Sequence, residues 1–377
     1  MAENEMTPKE RVMAVYRGGK PDRIPVMPCF WYLIPARMSG RPFYDIQEPF
    51  WYWQWQAGKY YGIDQRVAPK LTWKNENVEK VEERHMDREG RLIIRTTYHT
   101  RYGTLTSRCL HPPDGAPWDI ERPVKDIERD WRAYEEILFC DPLGLDTSDF
   151  DQCLETVGDD AVVPAVIGGL FTDMLADARE GGMERAIYDL YDYPDFFAQV
   201  RGRYVRHRAE LTEAILKKTD PDFIFIATGA TTAGVIGPDM WRTWNLPGVK
   251  AITDVAHAHG KPVHIHLHGH CRAILPDIAN LGIEMVCPLE RPPGGDIKDL
   301  RQVRGEIAPS LGFMGNVSTT TTLLTGTPRD VEREVRECIE AAGSYPFILS
   351  TGDQVSPLTP EENIRALIAA GRKYGIR

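Results

Sequence analysis

From Ala161 onward the chain alternates short apolar segments with longer amphipathic segments. Six apolar segments have the length of strands: AVVPAVI, DFIFIA, PVHIHLH, IEMVCP, SLGFMGN and PFILSTG. Between them the sequence predicts helices over 184–192, 195–217, 239–259, 271–281, 296–307, 328–342 and 360–374. Repeated strand–helix units form a parallel sheet, and so many units in one chain favour a closed (β/α)8 TIM barrel. A doubly wound sheet is the alternative, although no strand is followed by a GxGxxG or Walker pattern.

The first part of the chain carries additions to this repeat. The segment TPKE, beginning at Thr7, predicts a helix with a capping box, and residues 23–28 (RIPVMP) read as a short buried strand. Polar and apolar residues alternate from Glu79 to Cys109 around Arg-Glu-Gly, which is typical of a β-hairpin. No linker rich in Pro, Gly or Ser divides the chain. We therefore expect one domain over 1–377, in which 30–150 elaborate the barrel and the hairpin lies over its mouth.

Charge and cysteine content exclude several classes of protein. The formal net charge of −10 argues against a general nucleic-acid binder, which needs a basic face to displace counterions. Seven cysteines without a CxxC pattern do not suit a disulfide framework or a zinc ribbon. No apolar run reaches the roughly 18 residues of a membrane span, and the first residues show no leader-like apolar region. We expect a cytoplasmic protein without a nucleic-acid or membrane partner, and homodimer formation stays open.

Histidines are concentrated at one predicted strand. Six of the ten histidines fall within fourteen residues, and His264, His266 and His268 alternate with apolar residues. Because residues two apart in a strand share a face, these three side chains point into the barrel. His266 and His268 stand at the carboxyl end of the strand, where barrel enzymes place their chemistry. We expect a metal or catalytic role for this pair, a core position for His264, and helix-end surface positions for His257 and His259.

Other strand ends offer partners for the histidines. A zinc site with catalytic function takes three protein ligands and leaves one position for substrate. Asp353 and Glu290 are the two acids at the predicted rim, and Asn316 follows another strand. The rim therefore contains two candidates for the third ligand.

Aromatic residues follow the first predicted strand. Phe30, Trp31 and Tyr32 stand in the segment CFWYLIP, where they either line the barrel mouth and bind substrate or pack beneath the elaborations. Trp51 and Trp55 are four residues apart and share a helical face, so core packing is the expected role for them.

Four long segments resemble a known superfamily. They are TPKERVMAVYRGGKPDRIPVMP, KPVHIHLHG, GFMGNVSTTTTLLTGTPRDVEREV and FILSTGDQVSPLTPEENIRALIAAGRKYG. Together they resemble the uroporphyrinogen decarboxylase superfamily, and more closely its corrinoid-linked methyltransferase branch. The resemblance covers nearly the whole chain and implies a (β/α)8 barrel. In the methyltransferase branch it also implies a zinc ion at the barrel mouth, bound by a His-x-Cys-Gly motif and by a cysteine that follows a glycine near the C-terminus.

This chain departs from that pattern at two positions. His266 matches the histidine, whereas His268 stands at the place of the first cysteine and Asp353 at the place of the second. All three residues remain metal ligands, so the resemblance implies a retained zinc site whose harder donor set makes a stronger Lewis acid. From their places at the predicted rim, Glu290 is a candidate fourth ligand or general base, and Asn316 is expected to contact the substrate.

These inferences predict a zinc-dependent methyltransferase. It would transfer a methyl group from a small methylated donor, most simply a methoxylated aromatic compound, to the cobalt of a partner corrinoid protein (O-demethylation). Transfer toward a thiol or a folate stays open.

The first alternative is a metal-free decarboxylase of a porphyrinogen or another carboxylic acid. The Arg-rich N-terminal segment of the decarboxylase branch is represented here only by Arg37 and Arg41, among bulky apolar residues. The second alternative is a non-catalytic protein that binds a corrinoid or a tetrapyrrole.

Overall fold

The computed structural model describes residues 5–307 and 309–376. Its strands are β1 (Thr72–Trp73), β2 (Val78–Met86), β3 (Leu92–Thr100), β4 (Gly103–His111), β5 (Trp118–Glu121), β6 (Leu145–Asp146), β7 (Ala165–Gly168), β8 (Ile224–Ala227), β9 (Val263–Leu267), β10 (Met285–Pro288), β11 (Gly312–Val317) and β12 (Phe347–Thr351). Strands β7 to β12 are the six predicted apolar segments, each shorter than its sequence pattern.

The helices surround these strands. They are α1 (Pro8–Tyr16), α2 (Leu33–Ser39), α3 (Phe50–Tyr61), α4 (Ile127–Leu138), α5 (Ser148–Val157), α6 (Phe171–Ala178), α7 (Gly182–Asp192), α8 (Pro194–Lys218), α9 (Ala233–Ile236), α10 (Pro238–Trp244), α11 (Leu246–Ala258), α12 (Leu275–Asn280), α13 (Leu300–Arg304), α14 (Pro328–Ala342) and α15 (Glu361–Tyr374). Short 3-10 turns span Phe43–Asp45, Pro142–Gly144, Gly158–Asp160 and Arg272–Ile274, and a π-helical turn spans Thr319–Leu323.

The parallel sheet runs in chain order from β7 to β12, and two short segments join its edges. Val26 forms a parallel bridge with Leu349 of β12, and Arg66 forms a parallel bridge with Val162, just before β7. The two segments are connected to each other, because the amide of Asp64 donates to the carbonyl of Val26 at 3.1 Å. The sheet thus closes through the first predicted strand, and the fold is the α/β TIM barrel predicted from the sequence.

Buried ion pairs tie α1 to these closing segments. Asp64 is 1% exposed and accepts hydrogen bonds from Arg11, from Arg23 (both 2.6 Å) and from the amide of Val26 (2.9 Å). The capping box at the start of α1 is present as predicted, since the side chain of Thr7 accepts from the amide of Glu10. Helix α1 is therefore fixed at its first turn and along its side.

Two helices differ from their predicted spans for local reasons. The span 239–259 is divided into α10 and α11 at Asn245, because Pro247 in the first turn of α11 lacks the amide that would continue the hydrogen-bond ladder. The amide oxygen of Asn245 instead accepts from the backbone and hydroxyl of Thr172 at 3.0 Å. The span 296–307 contains only the short helix α13, capped by the carboxylate of Asp299.

The segment expected to form a hairpin lies in a four-stranded antiparallel sheet, ordered β2-β3-β4-β5. The turn between β2 and β3 is closed by Asp87, whose carboxylate accepts from the amides of Glu89 and Arg91 at 2.9 Å, and Gly90 takes the left-handed conformation. Strand β4 packs against α4. In residues 5–307 and 309–376, no helix combines the length and the apolar character that crossing a bilayer requires.

Candidate metal centre at the barrel mouth

The histidine strand is β9, and its side chains point into the barrel. His264 is 1% exposed, and its Nδ1 lies 2.6 Å from the hydroxyl of Tyr16, so it is a core residue as expected. His266 is on β9, and His268 follows directly after the strand. His257 and His259 lie at the other end, where each contacts a glutamate at the surface.

Three side chains converge where β9 and β12 end. Ligand atoms of His266, His268 and Asp353 all lie within 4.8 Å of one another. The Nε2 atoms of the two histidines are 2.8 Å apart, and Asp353 approaches Nδ1 of His268 at 3.6 Å. Two imidazoles and a carboxylate are a donor set that zinc binds, with a further position left for substrate. These residues therefore fit a zinc ion.

The electrostatics of the three residues suit a cation. Burial lowers the pKa of His266 well below its ordinary value, and the neighbouring His268 and Arg66 add to this effect. His266 is thus a neutral imidazole, the form that binds metal. Burial also lowers the pKa of His268, but Glu290 and Asp353 outweigh it and raise that pKa overall. Burial, reinforced by Glu290, raises the pKa of Asp353.

Glu290 also contacts His268, although it is not one of the three converging residues. Its carboxylate accepts a hydrogen bond from the amide of Gly269 and lies 3.7 Å from Nδ1 of His268. A carboxylate in this position commonly orients a metal-binding histidine. The expectation of a fourth ligand or a general base stays a prediction, and these contacts favour a role in orienting His268.

A cavity of about 310 Å³ opens beside these residues, within the range of small-molecule sites. Trp31 and Tyr32 line it, which is one of the two positions that the sequence left open for them, and Trp31 has a positive φ of 38° that bulky residues rarely adopt. The lining residues are Cys29, Trp31, Tyr32, Arg66, Val166, Phe225, Ala227, Thr228, His266, His268, Asp353 and Gln354. Aromatic and apolar residues form about half of this lining, and they suit a small aromatic ligand that also carries polar groups.

Two predicted site residues are placed elsewhere. Asn316 is fully buried, and its amide donates to the carbonyls of Leu289 (3.0 Å) and Ile297 (3.1 Å). Its expected contact with substrate is corrected to a structural role, because these bonds occupy the amide away from the cavity. Phe30 is 6% exposed and packs against Tyr61, with the ring centroids 4.9 Å apart. It belongs to the core and is absent from the lining of the cavity beside the histidines.

The structure adds residues that the sequence analysis did not identify. The side-chain oxygen of Gln354 accepts from the amides of Tyr32 and Leu33, both at 3.1 Å. The hydroxyl of Thr351 accepts from the amide of Cys29 at 3.0 Å and donates to the carbonyl of Asp353 at 2.5 Å. These bonds fasten the aromatic segment to the Asp353 loop. Gln354 and Thr351 lie more than 300 residues after the aromatic segment. No pattern in the sequence predicts contacts between residues so far apart.

Fold and site together define a TIM-barrel protein with a candidate metal centre and an aromatic cavity at the carboxyl ends of its strands. A family model described as uroporphyrinogen decarboxylase (URO-D) matches residues 151–374, which include all of β7 to β12. The chain belongs to the uroporphyrinogen decarboxylase family, as its motifs predicted.

Individual relatives fall into two groups. The chain is 30% identical over 153 residues to "Methylcobamide:CoM methyltransferase MtaA" of Methanosarcina barkeri, over 41% of this chain and 42% of the relative. It is 26% identical over 185 residues to "Uroporphyrinogen decarboxylase" of Synechococcus sp. (strain CC9605), over 48% of this chain and 47% of the relative. Both alignments therefore span less than half of the curated relative.

A solved structure, "methyltransferase from Methanosarcina mazei", superposes with a TM-score of 0.69 at 20% identity. The superposition covers 98% of this chain and 99% of the other. At this identity the likeness establishes the shared fold.

Proposed function

We propose that the chain is a corrinoid-linked methyltransferase with a zinc centre formed by His266, His268 and Asp353. It would take the methyl group from a small methoxylated aromatic compound and transfer it to a corrinoid protein. The observation that carries the proposal is the convergence of three metal-binding side chains, within 4.8 Å, beside an aromatic cavity. The similarity to methylcobamide-using methyltransferases supports the corrinoid partner.

The residues around the cavity would have different roles in such a site. His266, His268 and Asp353 would hold the metal, and Glu290 would keep the ring of His268 in place. Trp31, Tyr32 and Phe225 would pack against the aromatic ring of the donor and exclude water around it. A bound zinc ion would supply Lewis acidity toward an oxygen of the substrate. The corrinoid protein would dock at the mouth, because the cavity opens at that end of the barrel.

Metal content is the decisive measurement. We expect about one zinc per chain in the purified, untagged protein and its loss in the double variant His266→Ala/His268→Ala. The matched control is His257→Ala/His259→Ala, which removes two histidines at the same spacing outside the cavity and should keep the metal. Absence of metal from the unmodified protein, even after zinc is supplied, would contradict the proposal.

Methyl transfer is then measured directly. The zinc-loaded protein, a methoxylated aromatic compound and a Co(I) corrinoid should give methylcobalamin, followed by its absorbance, and an equal amount of the corresponding phenol, which leaves when the bond between oxygen and methyl breaks. The histidine variant should give none. If the methyl group instead passes from methylcobalamin to a thiol or a folate, the proposed metal site stands and the proposed donor and acceptor are wrong.

The alternative function is a metal-free decarboxylase. Curated decarboxylases in the same family, matched at 25–28% identity over 43–58% of this chain, favour it. It predicts full activity on a carboxylic acid after chelation, which the methyltransferase proposal forbids. For either function we propose a reducing, cytoplasmic location, which the seven free cysteines support.

A further inference from the structure

Arg66 is a charged residue inside the cavity that the functions described above do not use. It belongs to the segment bridged to Val162, so its backbone is part of the closed barrel. The central carbon of its guanidinium lies 3.9 Å from the ring centroid of Phe225 and 5.7 Å from that of Trp31. These two aromatic faces hold the guanidinium at the wall of the cavity that also contains His266 and Asp353.

The guanidinium has no anionic partner in the protein. Within residues 5–307 and 309–376 it forms no ion pair with a carboxylate, and its Nη1 is a buried atom without a hydrogen-bond acceptor. Because Arg66 is half-buried and lines the cavity, an anionic ligand bound there would supply the counter-charge that the protein does not.

The position of Arg66 relative to the metal centre limits the size of that ligand. Cys287 contacts Arg66, and its sulfur also lies 3.1 Å from Nδ1 of His266. Only one side chain therefore separates the guanidinium from a proposed metal ligand. A molecule with a single aromatic ring can present one group to Arg66 and another to the metal centre, whereas the apolar wall formed by Val166, Phe225 and Ala227 suits the ring between them.

We propose that Arg66 binds an anionic group of the substrate, and that the substrate is a methoxylated aromatic carboxylate. A planar guanidinium pairs with a planar carboxylate through two parallel hydrogen bonds, which gives orientation as well as affinity. The carboxylate would fix the ring so that its methoxy group faces His266, His268 and Asp353. This inference rests on the proposed methyltransferase function and adds the charge of the substrate to it.

Binding of a matched pair of ligands tests the inference without requiring turnover. The zinc-supplied protein is titrated with 3-methoxybenzoate and with 3-methoxybenzamide, which has nearly the same shape and no charge. Quenching of tryptophan fluorescence or calorimetry gives the two dissociation constants. We expect the acid to bind about tenfold more tightly, or better, and Arg66→Gln to remove that preference. Arg66→Lys should retain part of it, because the charge remains while the planar fork is lost.

The control variant is Arg132→Gln. Arg132 also lies 3.9 Å from an aromatic centroid, that of Tyr102, but it is exposed and outside the cavity. Arg132→Gln lowers the net charge of the protein by the same one unit as Arg66→Gln, and it should leave the preference for the acid intact. Equal affinity for acid and amide in the unmodified protein, no binding of either, or an unchanged preference in Arg66→Gln would each overturn the inference. If Arg66→Gln does not fold, a reduced preference for the acid in folded Arg66→Lys supports the inference and an undiminished preference overturns it.

Failure of this inference is distinguishable from failure of the proposed function. A protein that binds zinc and demethylates only neutral methoxy compounds would contradict the role of Arg66 alone. A protein that prefers the acid but holds no zinc and transfers no methyl group would contradict the methyltransferase function alone.

Discussion

Asp353 is the only carboxylate among the three converging ligands, and its replacement tests the donor set directly. In Asp353→Ala we expect zinc below one per chain, because two imidazoles alone hold it weakly. In Asp353→Cys we expect zinc to return, since a thiolate is an equally suitable ligand at that position. Metal analysis after dialysis measures both. Retention of one zinc per chain with unchanged affinity in Asp353→Ala would show that this carboxylate is not a ligand.

Glu290 makes a different prediction, because it contacts His268 and is not one of the converging ligands. Glu290→Gln keeps an acceptor for the amide of Gly269 but removes the charge beside His268. We expect zinc to bind about 10- to 100-fold more weakly, as for other residues that orient a ligand. Competition with a chromophoric chelator measures the affinity.

The control for this variant is Glu284→Gln. Glu284 accepts from the amide of Val263, at the opposite end of β9, so the metal affinity should not change. An effect of the same size in both variants would point to a general disturbance of the strand.

At the level of single residues, the sequence predicts positions best where residues of one type alternate along a strand. The alternation of His264, His266 and His268 indicates a shared face, and the structure shows one. Asn316 was misassigned because a strand-end amide can bond either to a ligand or to backbone carbonyls, and the sequence does not distinguish the two. Arg66 was not identified because a lone arginine on a short segment gives no pattern. Trp31 and Phe225 come to lie against Arg66 only when segments far apart in the sequence close the barrel.

Among the elements, the antiparallel sheet contains a carboxylate whose charge is strongly stabilised. Burial opposes the charge on Glu121, but hydrogen bonds from Thr106, Lys125 and Arg108 lower its pKa from 4.5 to about 2. Above pH 4.5 this carboxylate is ionised in both the folded and the unfolded chain, and its contribution to stability is complete. As the pH falls from 4.5 to 2, only the unfolded chain takes up the proton, so the contribution is lost.

Glu121→Gln should therefore lower the free energy of unfolding at pH 7 by at most about 3 kcal/mol, given about 1.4 kcal/mol per pKa unit. The difference from the unmodified protein should shrink between pH 4.5 and 2. Urea unfolding at several pH values measures this. Glu83→Gln is the control, because Glu83 is exposed and only 3.7 Å from Arg95, and it should change stability by less than about 0.5 kcal/mol. Parallel pH profiles for Glu121→Gln and the unmodified protein would refute this account.

The sequence predicts which helices and strands exist and in what order they follow, but it predicts the residues at which they begin and end less well. The capping box predicted at Thr7 marked the start of α1, and the structure has a second capping box at Thr327, at the start of α14. The division at Asn245 was missed because apolar periodicity continues across it. The bond that stabilises the break comes from Thr172, which is 73 residues away.

For the whole molecule, closure of the barrel depends on a buried charge. Asp64 lies between Arg11 and Arg23 and joins α1 to both closing segments. Asp64→Asn would leave two arginines without their shared counter-charge, although Arg11 keeps Asp22. We expect the free energy of unfolding to fall by about 3 kcal/mol or more, since breaking a buried ion pair is strongly destabilising. Urea unfolding with an unchanged m value measures the loss.

An exposed ion pair serves as the comparison. Glu48 and Lys70 lie 2.9 Å apart at the surface, and Glu48→Gln should change stability by less than about 1 kcal/mol. If Asp64→Asn were no more destabilising than this variant, the barrel would not depend on the buried charge for its closure.

The bonds from Gln354 and Thr351 reach the aromatic segment through the backbone amides of Cys29, Tyr32 and Leu33. They therefore hold this segment against the loop that carries Asp353 whatever side chains the segment bears. Phe225 of β8 is less free to change, because its ring packs against the guanidinium of Arg66 and its centroid lies 5.9 Å from that of His266. Variation that broadens the range of accepted molecules should therefore accumulate at Tyr32, Val166 and Ala227. A library that randomises only these three positions would alter selectivity while sparing the reactive centre.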